Sequence, residues 1–281
     1  NKKHAAQFIS TLETYTFPRI GKLKVSEVTA ADVLAVLQPI WLEKPETARR
    51  VRQRIGTVMK WAVANGWRQD NPADAIAQAL PKQDKTQAHR KALPYDKVSE
   101  FLDALKASDA GDTTKLALEL VILTASRSGE VRLAEWSEFD LDQAIWTRPA
   151  HRMKAKKEHR VPLSPRAVEV LSQARKLGSG EALVFPGTRH GKPLSDMTLS
   201  KLTKALGYDV DVHGFRTSFK TWTQERTNTP RDVSEAALAH TVKDKAEAAY
   251  ARSDFFDKRR TLMERWAIFM KAQDVQVARI G

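Results

Sequence analysis

From Pro81 to Pro94 the chain reads Pro-Lys-Gln-Asp-Lys-Thr-Gln-Ala-His-Arg-Lys-Ala-Leu-Pro, with no apolar residues recurring at a helical or strand period. A stretch this polar has no face to bury, so it interrupts any core that the 281 residues might otherwise share. The chain is therefore expected to fold as two bodies. We place a first domain at 1–85, a linker at 86–94 and a second domain at 95–281.

The two parts carry different patterns. Before the linker all periodicity is helical: Ala5, Phe8, Ile9 and Leu12 recur on one face, and Thr29 caps a helix carrying Val33, Leu34, Val36, Leu37 and Ile40. A longer helix runs from Pro45 to about Asn65, with proline tolerated in its first turn and Gly66 as its stop. Val51, Ile55, Val58, Met59 and Ala62 form its apolar stripe. Arg49, Arg50, Arg52 and Lys60 occupy the other face, with Arg54 at the border. This cationic face is the candidate DNA-contacting surface of the first domain. A short helix starts near Pro72.

After the linker, helices are predicted near 95–107, 113–125 and 128–135. Short strands follow at 135–139, 144–147 and 159–163, with a basic turn between the last two. A helix runs from Ser164 to about Leu177, and Leu183-Val184-Phe185 reads as extended. The remainder is helical, at about 195–206, 213–227, 230–239, 243–250 and 255–273. The fold class is thus mainly α with a small β-sheet. Trp61, Trp136, Trp146, Trp222 and Trp266 read as core or interface residues. The segment 255–273, with Phe255, Phe256, Leu262, Trp266 and Phe269, fits packing on its own domain or on a neighbouring protomer.

Charge narrows the partner. The net charge is +13, and the excess is shared: residues 1–85 hold 14 basic and 8 acidic side chains, the remainder 33 and 26. Both parts therefore suit an anionic partner such as nucleic acid. The absence of cysteine excludes disulfides, zinc-thiolate sites and cysteine nucleophiles. No apolar run approaches the ~20 residues that span a bilayer, and no signal-peptide pattern opens the chain, so a cytoplasmic location is expected. The chain begins Asn1-Lys2-Lys3 without an initiator methionine and enters a helical pattern at once, which points to further residues upstream. Neither zinc-ligand spacing nor a carboxylate cluster for two magnesium ions is present, so no metal and no cofactor is expected.

A small set of residues carries chemistry. Arg127 and Glu130 are three apart after a strongly apolar helix, so the arginine emerges from the core at a turn, where Glu130 can orient it toward an anion. His213 and Arg216, also three apart, share a helix face. Guanidinium groups suit a phosphodiester because each donates two parallel hydrogen bonds and keeps its charge. Lys154 lies in Arg152-Met153-Lys154-Ala155-Lys156-Lys157, where a hairpin-tip lysine can enter a DNA groove or give a proton to a leaving oxygen; Lys156 and Lys157 are further DNA-contact candidates. Tyr250, ten residues after His240, is one of four tyrosines. Its phenol can attack phosphorus if His213 accepts the proton, and His240 can bond a non-bridging oxygen.

In this order the residues resemble those of tyrosine recombinases, closest to integrases of temperate phages and genomic islands, over nearly the whole chain. The family's first box, Thr-Gly-x-Arg-x-Gly-Glu, appears as Thr124-Ala125-Ser126-Arg127-Ser128-Gly129-Glu130. Its β-hairpin lysine matches Lys154, its His-x-x-Arg box is His213 to Arg216, its Leu-Gly-His is Leu238-Ala239-His240, and its nucleophile is Tyr250. Ala125 and Ala239 stand where the family usually has glycine. The resemblance implies a helical core-binding domain followed by a mixed α/β catalytic domain, closing as a clamp on duplex DNA. It also implies an arm-site-binding domain upstream. Further, it implies 3′-phosphotyrosyl chemistry at double-stranded attachment sites by a homotetramer, with accessory DNA-bending or excision factors as possible partners. A type IB topoisomerase-like enzyme and a non-catalytic DNA-binding regulator are the alternatives.

Overall fold

The computed structural model describes residues 2–83, 91–153, 155–178, 180, 182–240 and 253–277, with the backbone alone at 2–4 and 272–277. Lys154, Tyr250, the helix predicted at 243–250 and most of the expected linker lie outside the described residues. The chain falls into two compact units, Asn1–Ala88 and His89–Gly281.

The described part of the first unit is built from α1 (Lys2–Tyr15), α2 (Phe17–Ile20), α3 (Ala30–Trp41), α4 (Pro45–Ala64) and α5 (Pro72–Ala75). Thr29 caps α3 reciprocally: its hydroxyl accepts from the Asp32 N–H (3.2 Å), and the Asp32 carboxylate accepts from the Thr29 N–H (2.9 Å). Leu12, Val33, Leu37, Val51, Ile55 and Met59 close one apolar core. Gly66 ends α4 at φ +71°, where Trp67 N–H donates to Ala62 O (3.0 Å) and Gly66 N–H to Val63 O (2.9 Å). This is the turn that glycine favours at a helix end.

The second unit contains α6 (Val98–Ala107), α7 (Asp112–Leu123), α8 (Ser128–Arg132), β1 (Phe139–Asp140), β2 (Ile145–Arg148), β3 (His159–Pro162), α9 (Pro165–Leu177), α10 (Thr198–Ala205), α11 (Gly214–Arg226), α12 (Arg231–Ala237) and α13 (Phe256–Val277). The sheet is antiparallel in the order β1-β2-β3, with Trp146 opposite Val161 and Arg148 opposite His159. All of α7 from Leu116 to Leu123 is buried, which explains its nearly continuous apolar sequence. α13 packs on its own unit: Trp266 Nε1–H donates to Ile122 O (3.0 Å), and the Trp266 ring meets Phe219, Trp222 and Phe269.

Two local expectations require correction. The helix predicted to 135 stops at Arg132, and the strand predicted from 135 begins only at Phe139. Pairing across the unit decides both: Val184 N–H donates to Ala134 O, and Trp136 N–H donates to Ala182 O (2.9 Å each). A 3₁₀ turn then brings Glu138 inward to accept from Trp146 Nε1–H (2.8 Å) and from Arg152.

Candidate active site

The site begins where α7 stops. Thr124 closes the helix and Ala125 enters the left-handed region at φ +46°. Ser126 N–H donates to Val121 O (3.1 Å) and Ala125 N–H to Ile122 O (3.2 Å), the same hydrogen-bonded turn as at Gly66. The reversal delivers Arg127 to the start of α8. There its N–H donates to Glu130 Oε2 (2.8 Å) and its Nη1 to Oε1 (2.7 Å), fixing backbone and guanidinium together. Glu130 is held from behind by Arg148 of β2, which is 2% exposed. Burial alone would raise the Glu130 pKa, but Arg148 and both Arg127 contacts outweigh it and keep the carboxyl below its usual range.

Arg216 arrives on α11. The backbone of Lys91 and Ala92 crosses so close to Gly214 that a β-carbon there would lie 2.3 Å from Lys91 O, so the His-Gly-Phe-Arg box requires glycine for packing. Arg216 is 4% exposed. Its Nη1 donates to Ala125 O (2.5 Å) and its Nη2 to Leu238 O (2.6 Å). Those carbonyls belong to the two helix ends that turn through alanine. At the end of α12, Ala239 sits at φ +48°, with His240 N–H donating to Glu235 O and Ala239 N–H to Ala236 O (3.0 Å each). Both left-handed alanines therefore stand where carbonyls must face the same guanidinium. The second turn also places His240 Nε2 3.3 Å from Arg216 Nη2. His240 Nδ1–H donates to Glu235 Oε2 (2.5 Å).

This arrangement concentrates positive charge. Burial, then the proximity of Arg127, push the Arg216 pKa down to about 10 despite Glu130 nearby. His159 on β3 feels the same field: burial, then Arg148, Arg259, Arg127 and Arg216, push its pKa down to about 2, and its Nε2 is buried without a partner. Cations crowded at a partly dry surface are relieved by an anion, and a phosphodiester presents two non-bridging oxygens to take both forks.

Arg127, Glu130, Arg216 and His240 are thus brought together, and His213 starts α11 one turn before Arg216. Lys156 and Lys157 lie exposed in the β2–β3 connection. In the first unit Arg50 is exposed and Arg49 and Arg52 are half-buried, and Arg49 and Arg50 both bond Glu46 (2.9 Å each). Arg54 departs from the expected DNA-contacting face. It is 7% exposed, lies over the Phe8 ring and donates to Gln7 O (2.9 Å), so it joins α4 to α1. Sequence reasoning missed Arg148, His159 and Glu235. Arg148 lies at the end of a short strand, and His159 and Glu235 lie among ordinary surface charges, so only the pairing of β2 with β3 and the turn after α12 reveal them. Among the described residues no group of three His, Asp or Glu side chains is placed to hold a metal ion, and no helix is long and apolar enough to cross a membrane.

The model of the phage integrase central domain matches residues 1–79, and that of the phage integrase family matches residues 91–256. The integrase of Enterobacteria phage P4 is 34% identical over 96% of this chain and 65% of its own length. Prophage integrase IntZ of Escherichia coli K12 is 35% identical over 95% of this chain and 66% of its own length. The chain therefore spans just under two thirds of these relatives. Among solved structures, a lambda integrase tetramer bound to a Holliday junction superposes with a TM-score of 0.67 at 20% identity, covering 90% of this chain and 72% of that one. The Tn1549 transposon integrase in complex with circular intermediate DNA gives 0.60 at 14% identity, covering 89% and 93%.

Proposed function

Because the chain belongs to the phage integrase family, we propose that it is a site-specific DNA recombinase that breaks and rejoins strands through a 3′-phosphotyrosyl intermediate. The observation that carries this reading is the convergence of Arg127, Arg216 and His240 through two helix-end turns on one cationic surface. Residues 1–85 serve as the core-binding domain, 86–94 as the linker and 95–281 as the catalytic domain.

In this reading Tyr250 Oη attacks the scissile phosphorus and gives its proton to His213. The bond from phosphorus to the 5′-oxygen breaks, and Lys154 protonates that oxygen. Arg127, Arg216 and His240 bind the non-bridging oxygens, and their hydrogen bonds strengthen as charge accumulates on the phosphorane. The 5′-hydroxyl of a partner strand then reverses the attack. The phosphotyrosine keeps the bond energy, so the strands are resealed without a nucleotide cofactor. Arg49, Arg50, Arg52, Lys156 and Lys157 contact the DNA backbone, so log affinity falls with log salt at about −0.9 per phosphate neutralised. We extend the reading to attachment-site duplexes as substrate, a homotetramer on DNA, accessory bending or excision factors, and the bacterial cytoplasm.

The test is covalent trapping on a nicked attachment-site substrate with wild-type protein and Tyr250→Phe. A recombinase traps DNA only with the tyrosine, whereas a DNA-binding regulator traps it with neither. Supercoil relaxation without strand exchange between duplexes would instead identify a topoisomerase.

A further inference from the structure

The turn after α12 pairs residues 235 and 240 twice. His240 N–H donates to the Glu235 carbonyl, and His240 Nδ1–H donates to the Glu235 carboxylate (2.5 Å). In a helix-end turn of this kind these two positions commonly make an apolar contact. Here a carboxylate and an imidazole replace it. His240 is exposed and Glu235 only partly buried, so the bond adds little stability. The carboxylate is itself fixed: Lys220 Nζ of α11 lies 2.7 Å from Glu235 Oε1 and donates to Ser234 Oγ (2.6 Å). Burial alone would raise the Glu235 pKa, but hydrogen bonds from Lys220 and His240 hold it below the usual carboxylate range, so the acceptor stays ionised at neutral pH.

We propose that Glu235 is a positioning residue that fixes the ring plane of His240 by holding its Nδ1 proton, so that the ring, once protonated on Nε2 as well, donates Nε2–H to the phosphate held by Arg216. A carboxylate only accepts, so the proton on that side of the ring stays on Nδ1. In the free protein the opposite nitrogen faces Arg216 Nη2 at 3.3 Å; a proton taken from solvent as the phosphodiester binds makes Nε2 a donor to a non-bridging oxygen that Arg216 also binds. Lys220 and Ser234 stop Glu235 from turning to solvent, so the chain Ser234, Lys220, Glu235, His240 transmits the order of α11 and α12 to one hydrogen bond at phosphorus.

This inference rests on the recombinase reading, and the experiment separates the two. Single-turnover covalent trapping at saturating attachment-site DNA is compared for wild type, Glu235→Gln, Glu235→Asp and His240→Asn, together with the double variant of Glu235→Gln and His240→Asn. Removing one preorganised donor lowers rate by about 100-fold or more, the loss expected for His240→Asn. Glu235→Gln, which loosens that donor, should lose about 10-fold with DNA affinity unchanged, and Glu235→Asp should recover part of the loss. Added to His240→Asn, Glu235→Gln should change nothing further. In ¹⁵N spectra of the free protein the His240 ring should carry its proton on Nδ1 and become a tautomer mixture in Glu235→Gln. A wild-type rate for Glu235→Gln, a full multiplication of the two losses, or a ring protonated on Nε2 alone overturns the proposal. Wild-type protein that traps no DNA defeats the recombinase reading instead, and the spectra still decide the dyad.

Discussion

Removing the charge of Glu130 should cost this protein more than removing any arginine around it. Arg148 is 2% exposed, and the one hydrogen bond of its guanidinium among the described residues is to Glu130, its Nε lacking a partner. Burial, reinforced by the repulsion of Arg127 and Arg152 and opposed by the attraction of Glu130, already brings its pKa from 12.5 to about 10, a cost on the order of 3 kcal/mol at neutral pH. Glu130→Gln deletes the only attraction in that balance and strands a buried cation, which typically costs about 3–5 kcal/mol. Arg148→Met leaves Glu130 bonded to the Arg127 N–H and guanidinium and forfeits mainly the stacking on Trp146, about 1–2 kcal/mol. The double variant buries neither charge and should recover at least about 2 kcal/mol relative to the sum of the single losses. For a unit of this size each kcal/mol moves Tm by about 2–4 °C, so Glu130→Gln should melt roughly 10 °C low. Calorimetry suits the measurement because the two units can unfold separately. A loss under about 1 kcal/mol for Glu130→Gln, or strict additivity in the double variant, would refute the claim that Arg148 depends on this carboxylate.

The same physics sets three further outcomes. Ala239→Gly relieves about 1–2 kcal/mol of left-handed strain against about 0.4–1 kcal/mol of added unfolded-state freedom and part of a half-buried methyl. It should be neutral or stabilising by up to about 1 kcal/mol, whereas Ala125→Gly, which also loses a fully buried methyl, should sit near zero; denaturant titration showing Ala239→Gly the less stable of the two would contradict this. His159 has a folded pKa near 2 against an ordinary 6.5, so below about pH 6.5 only the unfolded chain takes its proton and stability falls as pH drops. Between pH 7 and 5 the wild type should lose about 1–2 kcal/mol more than His159→Asn, and parallel acid limbs in the two proteins would exclude the effect. Arg54→Ala should destabilise the first unit by about 2–3 kcal/mol, while Arg52→Ala should leave Tm unchanged and shallow the salt slope of DNA binding by about one phosphate.

Most helices were legible because their signals are local. Thr29, Pro45, Gly66 and Ser164 each mark a helix end by their own chemistry, and the structure places caps or stops at all four. The strand expected at 135–139 failed for a non-local reason: Ala134 and Trp136 are claimed by residues near 183, which no local pattern announces. Arg54 failed similarly. On the helical wheel it is a border residue, and only the approach of α1, bringing the Gln7 carbonyl and the Phe8 ring, draws it inward. The candidate residues Arg127, Arg216 and His240 were visible as spaced boxes, but the groups that hold them were not. Arg148 and Glu235 have no distinguishing spacing and become informative only through what they touch.

Those supporting groups explain how one site can carry so much like charge. Arg127 and Arg216 would repel each other in an apolar pocket. Instead each is tied to acceptors that cannot leave: Arg127 to Glu130, and Arg216 to the carbonyls of Ala125 and Leu238. Carbonyl dipoles fix a guanidinium without neutralising it, so Arg216 keeps its full charge for a ligand. The left-handed turns at Ala125 and Ala239 are what aim those carbonyls. Their strain, about 1–2 kcal/mol at each residue, buys an arginine that is oriented before any phosphate arrives. Glycine would give the same turns at less strain, so the alanines show that the turn geometry, rather than the glycine side of the family pattern, is what the site requires.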